Sequence, residues 1–123
     1  MVNGKKIVIV DDNKELADEL KDTLESAGYN VLALSDSRKA FVGIKKFIPE
    51  LILLDLKMPH KSGIEVAEEL RSSQATKGIP IIGISGHYKK STGLLEVHGF
   101  KKLLTKPVDP EELFNQIKFL TGA

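Results

Sequence analysis

Five apolar runs along the chain do not alternate with polar residues. Continuous apolar runs of about four to eight residues, rich in Ile and Val, are typical of strands buried on both faces, as in a parallel sheet covered by helices. We therefore predict five strands in such a sheet. The runs cover residues 7–10, 31–34, 51–54 and 79–84, with a weaker one at 103–104.

Helical patterns lie between these runs, and the first is the clearest. Leu16, Leu20 and Leu24 recur at the spacing of one helix face. Asn13 precedes them as a candidate N-cap, and Gly28 follows them as a candidate stop. The pattern predicts a helix between the first two strands.

Three further helices and one weaker helical pattern follow. Residues 37–48 and 64–71 have helical spacing of their apolar positions. The last helix begins at Asp109 as N-cap, with Pro110 in its first turn. Residues 88–98 contain a glycine and few strong helix formers, so we expect only a short helix there. The phenylalanines expected to pack helices against the sheet are Phe41, Phe47, Phe114 and Phe119.

Strand and helix alternate five times without a linker, a repeat or a low-complexity segment, which predicts one domain over residues 1–123. Right-handed crossovers then predict a doubly wound α/β fold with a five-stranded parallel sheet covered by five helices. The flavodoxin-like strand order 2-1-3-4-5 is the common solution for five strands. In such sheets the binding site lies beyond the carboxyl ends of the strands.

Charge and composition exclude several classes of protein. The chain has 123 residues, with 18 Lys and Arg against 17 Asp and Glu, for a net charge of +1. This balance argues against a nucleic-acid-binding surface. The absence of cysteine excludes disulfides and thiolate metal sites. No stretch approaches the roughly 18 apolar residues of a membrane span, so we expect a cytoplasmic protein that binds neither nucleic acid nor membranes.

Polar side chains follow four of the five predicted strands. Carboxylates gathered at one edge repel each other, so the cluster costs stability unless a cation or a proton neutralises it. Magnesium prefers oxygen ligands and is typically held by one or two carboxylates plus phosphate oxygens. The sequence therefore predicts a Mg²⁺ site, with a lysine as second cation. The residues are Asp11 and Asp12 after the first strand, Asp55 after the third, Ser85 after the fourth and Lys106 after the fifth.

Other interpretations of this edge are weaker. Singly, Asp11 or Asp12 would more often cap the helix that follows, but Asp55 on a different strand favours a cation site. Dinucleotide-binding and P-loop proteins place glycines after their first strand, whereas this chain reads Asp-Asp-Asn-Lys-Glu. It also lacks the Asp-x-Asp motif usual in phosphatases that use an aspartyl nucleophile.

These motifs resemble the receiver domain of two-component response regulators over essentially the whole chain. Thirty residues separate Asp55 from Ser85 and 21 separate Ser85 from Lys106, both near the spacing of the family. The motifs are Asp11-Asp12, Asp55-Leu56-Lys57-Met58-Pro59 with Gly63, Ser85-Gly86 and Lys106-Pro107.

The resemblance implies a role for each matching residue. Asp55 is the phosphoacceptor, Asp12 is a direct magnesium ligand and Asp11 is a ligand through water. The backbone carbonyl of Lys57 is a further ligand, and Lys106 pairs with the phosphoryl group.

The resemblance also implies features that act after phosphorylation. The hydroxyl of Ser85 turns toward a phosphoryl oxygen, and the Lys106-Pro107 peptide is cis. The side chains of Lys57 and His87 border the path of the hydrolytic water, and the Lys57 ammonium is expected to slow hydrolysis. Leu103 departs from the family, because most receivers carry Tyr, Phe or His there, so we expect the readout to depend on Ser85 and the residues after it.

The function implied is a phosphorylation-activated signalling switch. The phosphoryl donor would be a phosphohistidine of a sensor histidine kinase or a histidine phosphotransfer protein, and the domain would catalyse only its own phosphorylation and dephosphorylation. Two alternatives stay open: a phosphorelay intermediate that passes the phosphoryl group to another histidine, and a receiver-shaped scaffold that is never phosphorylated. Because no effector domain follows, the chain is expected to act on a downstream protein or to derive from a longer regulator.

Overall fold

A computed structural model describes residues 4–86 and 98–122 of the chain. Within these residues strand and helix alternate as predicted as far as the fourth strand, and a short 3-10 turn at Ser37–Lys39 precedes the second helix. The strands are β1 (Lys6–Val10), β2 (Asn30–Leu34), β3 (Leu51–Asp55), β4 (Ile81–Ser85) and β5 (Phe100–Thr105). The helices are α1 (Lys14–Ser26), α2 (Ala40–Phe47), α3 (Gly63–Arg71) and α4 (Pro110–Thr121).

The five strands form one parallel sheet in the order β2-β1-β3-β4-β5. This confirms the predicted strand order and the doubly wound fold. Four α-helices rather than five lie in the described part of the chain, because the predicted helix at 88–98 falls almost wholly on residues 87–97, outside it.

Both faces of the sheet are covered, which explains why the strands read as continuous apolar runs. Along β1, Ile7 and Ile9 pack in one core cluster with side chains of α1 and α4. The alternate residues, Val8 and Val10, pack in a second cluster with side chains of α2 and α3. Successive side chains of a strand point to opposite faces, so each strand supplies both layers.

Local hydrogen bonds set the helix ends. The Asn13 side chain accepts from the Leu16 amide and caps α1, as predicted. The predicted helix over 37–48 instead begins as the 3-10 turn and ends at Phe47, followed by Ile48 as C-cap with a φ of 53°. Helix α3 begins one residue earlier than predicted, because Ser62 and Glu65 form a reciprocal capping box.

Two further findings concern the helices. None of those in the described part of the chain is long and apolar enough to cross a membrane. The prediction that Phe119 packs against the sheet is wrong, since the residue is 82% exposed. The buried side of α4 is formed by Leu113 and Ile117, and position 119 lies on its opposite side.

Candidate functional site

The register of the sheet brings the strand ends to one edge. Val10 is level with Leu54, so Asp11, which directly follows β1, is level with Asp55 at the end of β3. One carboxylate oxygen from each of Asp11, Asp12 and Asp55 lies within 4.8 Å of the other two. The structure therefore brings the three predicted carboxylates together.

Lys106 reaches this cluster from the end of β5. Its Nζ lies 3.4 Å from Oδ2 of Asp11 and 3.5 Å from Oδ2 of Asp55. The Lys106-Pro107 peptide bond is cis, as the resemblance implies. One ammonium group thus faces two carboxylates that are almost completely buried, at 1% and 3% exposure.

The surroundings of Asp55 oppose its ionisation. Burial is the main reason that the pKa of Asp55 rises to about 7, and the neighbouring Asp11 raises the pKa further. Lys106 and the backbone amide of Lys57 lower it, but by less. In the absence of a metal ion, Asp55 is therefore only partly ionised near neutral pH.

The donor atoms fit a hard divalent cation. Oδ1 of Asp11 accepts a hydrogen bond from the Asn13 amide at 2.9 Å. Oδ2 of Asp11 is buried, and apart from its ion pair with Lys106 it has no hydrogen-bond partner among the residues that the structure describes. Asp12 is exposed and leaves the cluster open on one side. A group of carboxylate oxygens without nitrogen or sulfur suits magnesium, which keeps several waters.

A cleft of about 310 Å³ lies over the cluster. Lys57 follows Asp55 by two residues, and its amide lies 3.4 Å from Oδ1 of Asp55. Lys57 is exposed and is one of the residues of the cleft. The residues that line the cleft are Asp12, Asn13, Asp55, Lys57, Ser85, Gly86 and Lys106.

Leu103 is not among the residues that line the cleft. Leu103 is half-buried on β5, where it pairs with Gly83 of β4. It packs against the core cluster that contains side chains of α2 and α3. His87 lies outside the described residues. The structure also shows a contact that the sequence analysis missed: the buried hydroxyl of Ser37 is bonded to the loop that follows Asp55. No sequence motif marks such a contact.

Comparisons with known proteins find a matching family model and similar proteins. The family model of the response regulator receiver domain matches residues 7–118. The phosphate regulon transcriptional regulatory protein PhoB of Pseudomonas aeruginosa is 38% identical over 117 residues, which are 94% of this chain and 51% of that protein. The chain spans about half or less of the length of the curated relatives it matches.

Solved structures share the fold. The chemotaxis protein CheY4 of Vibrio cholerae has a TM-score of 0.89 at 26% identity, covering 95% of this chain and 98% of that one. The receiver domain of the sensor histidine kinase PA1611 of Pseudomonas aeruginosa has a TM-score of 0.88 at 24% identity, covering 98% and 99%. That structure has a magnesium ion coordinated in its active site cleft.

Proposed function

The chain belongs to the response regulator receiver domain family, whose members are phosphorylation-activated signalling switches, and we propose that it is phosphorylated on Asp55. The donor is a phosphohistidine of a sensor histidine kinase or of a histidine phosphotransfer protein, and Mg²⁺ is the cofactor. Residues 1–123 form one such domain. The observation that carries the proposal is the buried Asp55, 3.5 Å from Lys106 and clustered with two further carboxylates.

Phosphoryl transfer requires Asp55 to act as a nucleophile. A carboxylate oxygen of Asp55 forms the new bond to phosphorus while the bond from phosphorus to the histidine nitrogen breaks, and the imidazole leaves with the electron pair. Asp11, Asp12, Asp55 and the Lys57 carbonyl would hold the metal. When bound, magnesium neutralises the negative charge that would otherwise repel the phosphoryl group.

Lys106 and Ser85 act on the product. The ammonium of Lys106 is close enough to Asp55 to pair with a phosphoryl oxygen once the acyl phosphate forms. Ser85 ends β4 and lines the same cleft, so its hydroxyl is placed to turn toward the phosphoryl group. The added charge and acceptor oxygens then bias the residues after β4 toward a second arrangement.

Two alternatives differ from this switch in how they use the phosphoacceptor site. A relay intermediate uses the same site, and the Lys57 side chain at the cleft favours it by slowing hydrolysis. A scaffold that is never phosphorylated has no physical need for clustered buried carboxylates, which raise the pKa of Asp55 and cost stability.

As a signalling domain, the chain catalyses only its own phosphorylation and dephosphorylation, and its output passes to a protein partner or to an effector domain.

The direct test uses Mg²⁺, acetyl phosphate and intact mass measurement. We expect one phosphoryl group per chain, and none after Asp55→Asn or when EDTA removes the metal. Asp18→Asn is a matched control, because Asp18 is an exposed carboxylate paired with Lys14 on α1. Incorporation that persists in Asp55→Asn would place the acceptor elsewhere and reject the assignment.

A further inference from the structure

The loop between β3 and α3, residues 56–62, contains a strained turn. The Lys61 amide donates to the Pro59 carbonyl at 2.9 Å, which closes a γ-turn around His60. His60 has a φ of 72°. γ-turns with positive φ are rare, and a residue other than glycine keeps this conformation only where surrounding contacts hold it.

Ser37 supplies contacts at both ends of this turn. Its Oγ donates to the Pro59 carbonyl at 2.8 Å and accepts from the Lys61 amide at 3.0 Å. Ser37 is 2% exposed and belongs to the 3-10 turn before α2, so the clamp joins two separate segments. Both the hydrogen and a lone pair of one buried hydroxyl are therefore committed to this loop.

The clamped loop leads directly from the phosphoacceptor. It begins after Asp55 and carries Lys57, whose amide lies 3.4 Å from Oδ1 of Asp55. At its far end the Gly63 amide donates to the Leu56 carbonyl at 2.9 Å. That second bond closes the loop on itself, whereas the Ser37 hydroxyl ties it to the neighbouring connection between β2 and α2.

We propose that Ser37 is a positioning residue for the phosphoacceptor site. Its hydroxyl holds the γ-turn at His60 and thereby fixes the path of the loop that carries Lys57, whose carbonyl is one of the proposed magnesium ligands. This inference rests on the proposed function, because it concerns the geometry of the magnesium site. Residues that orient metal ligands without contacting the metal strongly affect metal affinity.

The test compares Ser37→Ala with the wild type in two measurements. Calorimetric titration with Mg²⁺ alone is expected to show about tenfold weaker binding in the variant. Hydrogen exchange of the metal-free protein is expected to be several-fold faster at the Lys61 amide, which loses one of its two acceptors. Ser37→Thr keeps the hydroxyl and should restore both values toward wild type.

Thr76→Val is the matched control. Thr76 is 1% exposed, and its hydroxyl donates to the Leu70 carbonyl at 2.6 Å in the connection from α3 to β4, at the opposite end of the sheet. This variant also loses a buried hydroxyl hydrogen bond, so its thermal stability should fall as well. Its magnesium affinity should equal that of the wild type.

The outcomes separate the inference from the proposed function. If Ser37→Ala binds Mg²⁺ as the wild type does, the inference is overturned and the proposed function stands. If the wild type neither binds Mg²⁺ nor is phosphorylated, both are overturned. Should Ser37→Ala fail to fold, Ser37→Cys tests the same clamp, because a thiol is a weak donor and acceptor; wild-type affinity in that variant would also overturn the inference.

Discussion

Asp55 keeps its proton to a higher pH in the folded protein than in the unfolded chain. Its pKa rises from 3.8 to about 7, mainly through burial. Between these two values the unfolded chain has lost the proton while the folded protein retains it. Without metal, the contribution of Asp55 to stability is therefore present below about pH 4 and is lost as the pH rises to 7.

This linkage predicts a pH-dependent difference between the wild type and Asp55→Asn, which does not titrate. In EDTA, we expect the wild type to lose stability relative to the variant as pH rises from 5 to 7, by a few kcal/mol at most. The difference should level off above pH 7. Urea unfolding at four pH values from 5 to 8 measures it, and a difference independent of pH would contradict the raised pKa.

Lys57 provides a second prediction at the residue scale. Lys57 is exposed and lines the cleft over Asp55. Because an ammonium group has only donors, we expect it to obstruct the hydrolytic water instead of orienting it. Lys57→Asn should shorten the lifetime of the phosphorylated form several-fold at neutral pH, or about 1 kcal/mol in the barrier. Loss of the phosphoryl group is followed by intact mass. An unchanged or longer lifetime would remove the support for a relay.

The sequence was sufficient to predict which side chains come together where their chemistry and their position after a strand are both local properties. Asp11, Asp55 and Lys106 each follow an apolar run, and the parallel sheet then brings them together. Ser37 was not recognisable, because its contact with Pro59 spans 22 residues and depends on how two connections pack. A hydroxyl in a polar segment carries no signal of such a role.

Among the elements, α3 is tied to the sheet at its last residue. The Arg71 guanidinium donates to four carbonyls, those of Lys77 at 2.7 Å, Ile79 at 3.0 Å, Gly99 at 3.1 Å and Thr76 at 3.5 Å. These bonds join the end of α3, the connection to β4 and the start of β5. A planar guanidinium has enough donors to bond all of these carbonyls at once. A lysine ammonium has fewer donors and cannot reproduce the geometry of the guanidinium.

Arg71→Lys should therefore lower the free energy of unfolding by about 1 to 3 kcal/mol, because the part-buried carbonyls of Ile79 and Gly99 lose their donors. Arg38→Lys is the matched control: Arg38 is bonded to Asp36 within two residues, and its side chain is 59% exposed. That change should stay within about 0.5 kcal/mol. Urea unfolding compares the two variants, and equal losses would show that the Arg71 contacts do not stabilise the fold.

The helix boundaries illustrate what local pattern does and does not determine. The caps at Asn13 and Asp109 were predictable, since each precedes a clear helical pattern. The start of α3 carried an overlooked signal, the Ser62 and Glu65 capping box. The 3-10 turn before α2 had none, because helical spacing alone does not distinguish a 3-10 turn from the first turn of an α-helix.

At the scale of the whole molecule, burial of both sheet faces made the fold predictable. Each strand supplies side chains to two cores, so its apolar run is continuous and its parallel neighbours follow from the crossover rule. The same arrangement gathers all carboxyl ends at one edge, where the site lies. The partner and the output of the switch are not encoded in this pattern, because they depend on exposed residues with no required periodicity.

Leu103 leads to a prediction about which part of the molecule responds to phosphorylation. Leu103 has no hydroxyl, and its side chain packs against the core cluster that contains side chains of α2 and α3. Ser85, in contrast, ends β4 and lines the cleft over Asp55. A phosphoryl group therefore acts first on Ser85 and on the chain that follows it, and only indirectly on β5.

Hydrogen exchange with Mg²⁺ and acetyl phosphate, compared with Mg²⁺ alone, tests this order. We expect larger changes in residues 86–98 than in β5, because the Ser85 hydroxyl shifts toward the new phosphoryl oxygens and the backbone after it moves too. Asp55→Asn under the same conditions should show no change, which separates phosphorylation from effects of the donor. Ser85→Ala should still be phosphorylated but should lose most of the difference in 86–98. Changes of equal or greater size around Leu103 would instead indicate that β5 transmits the signal.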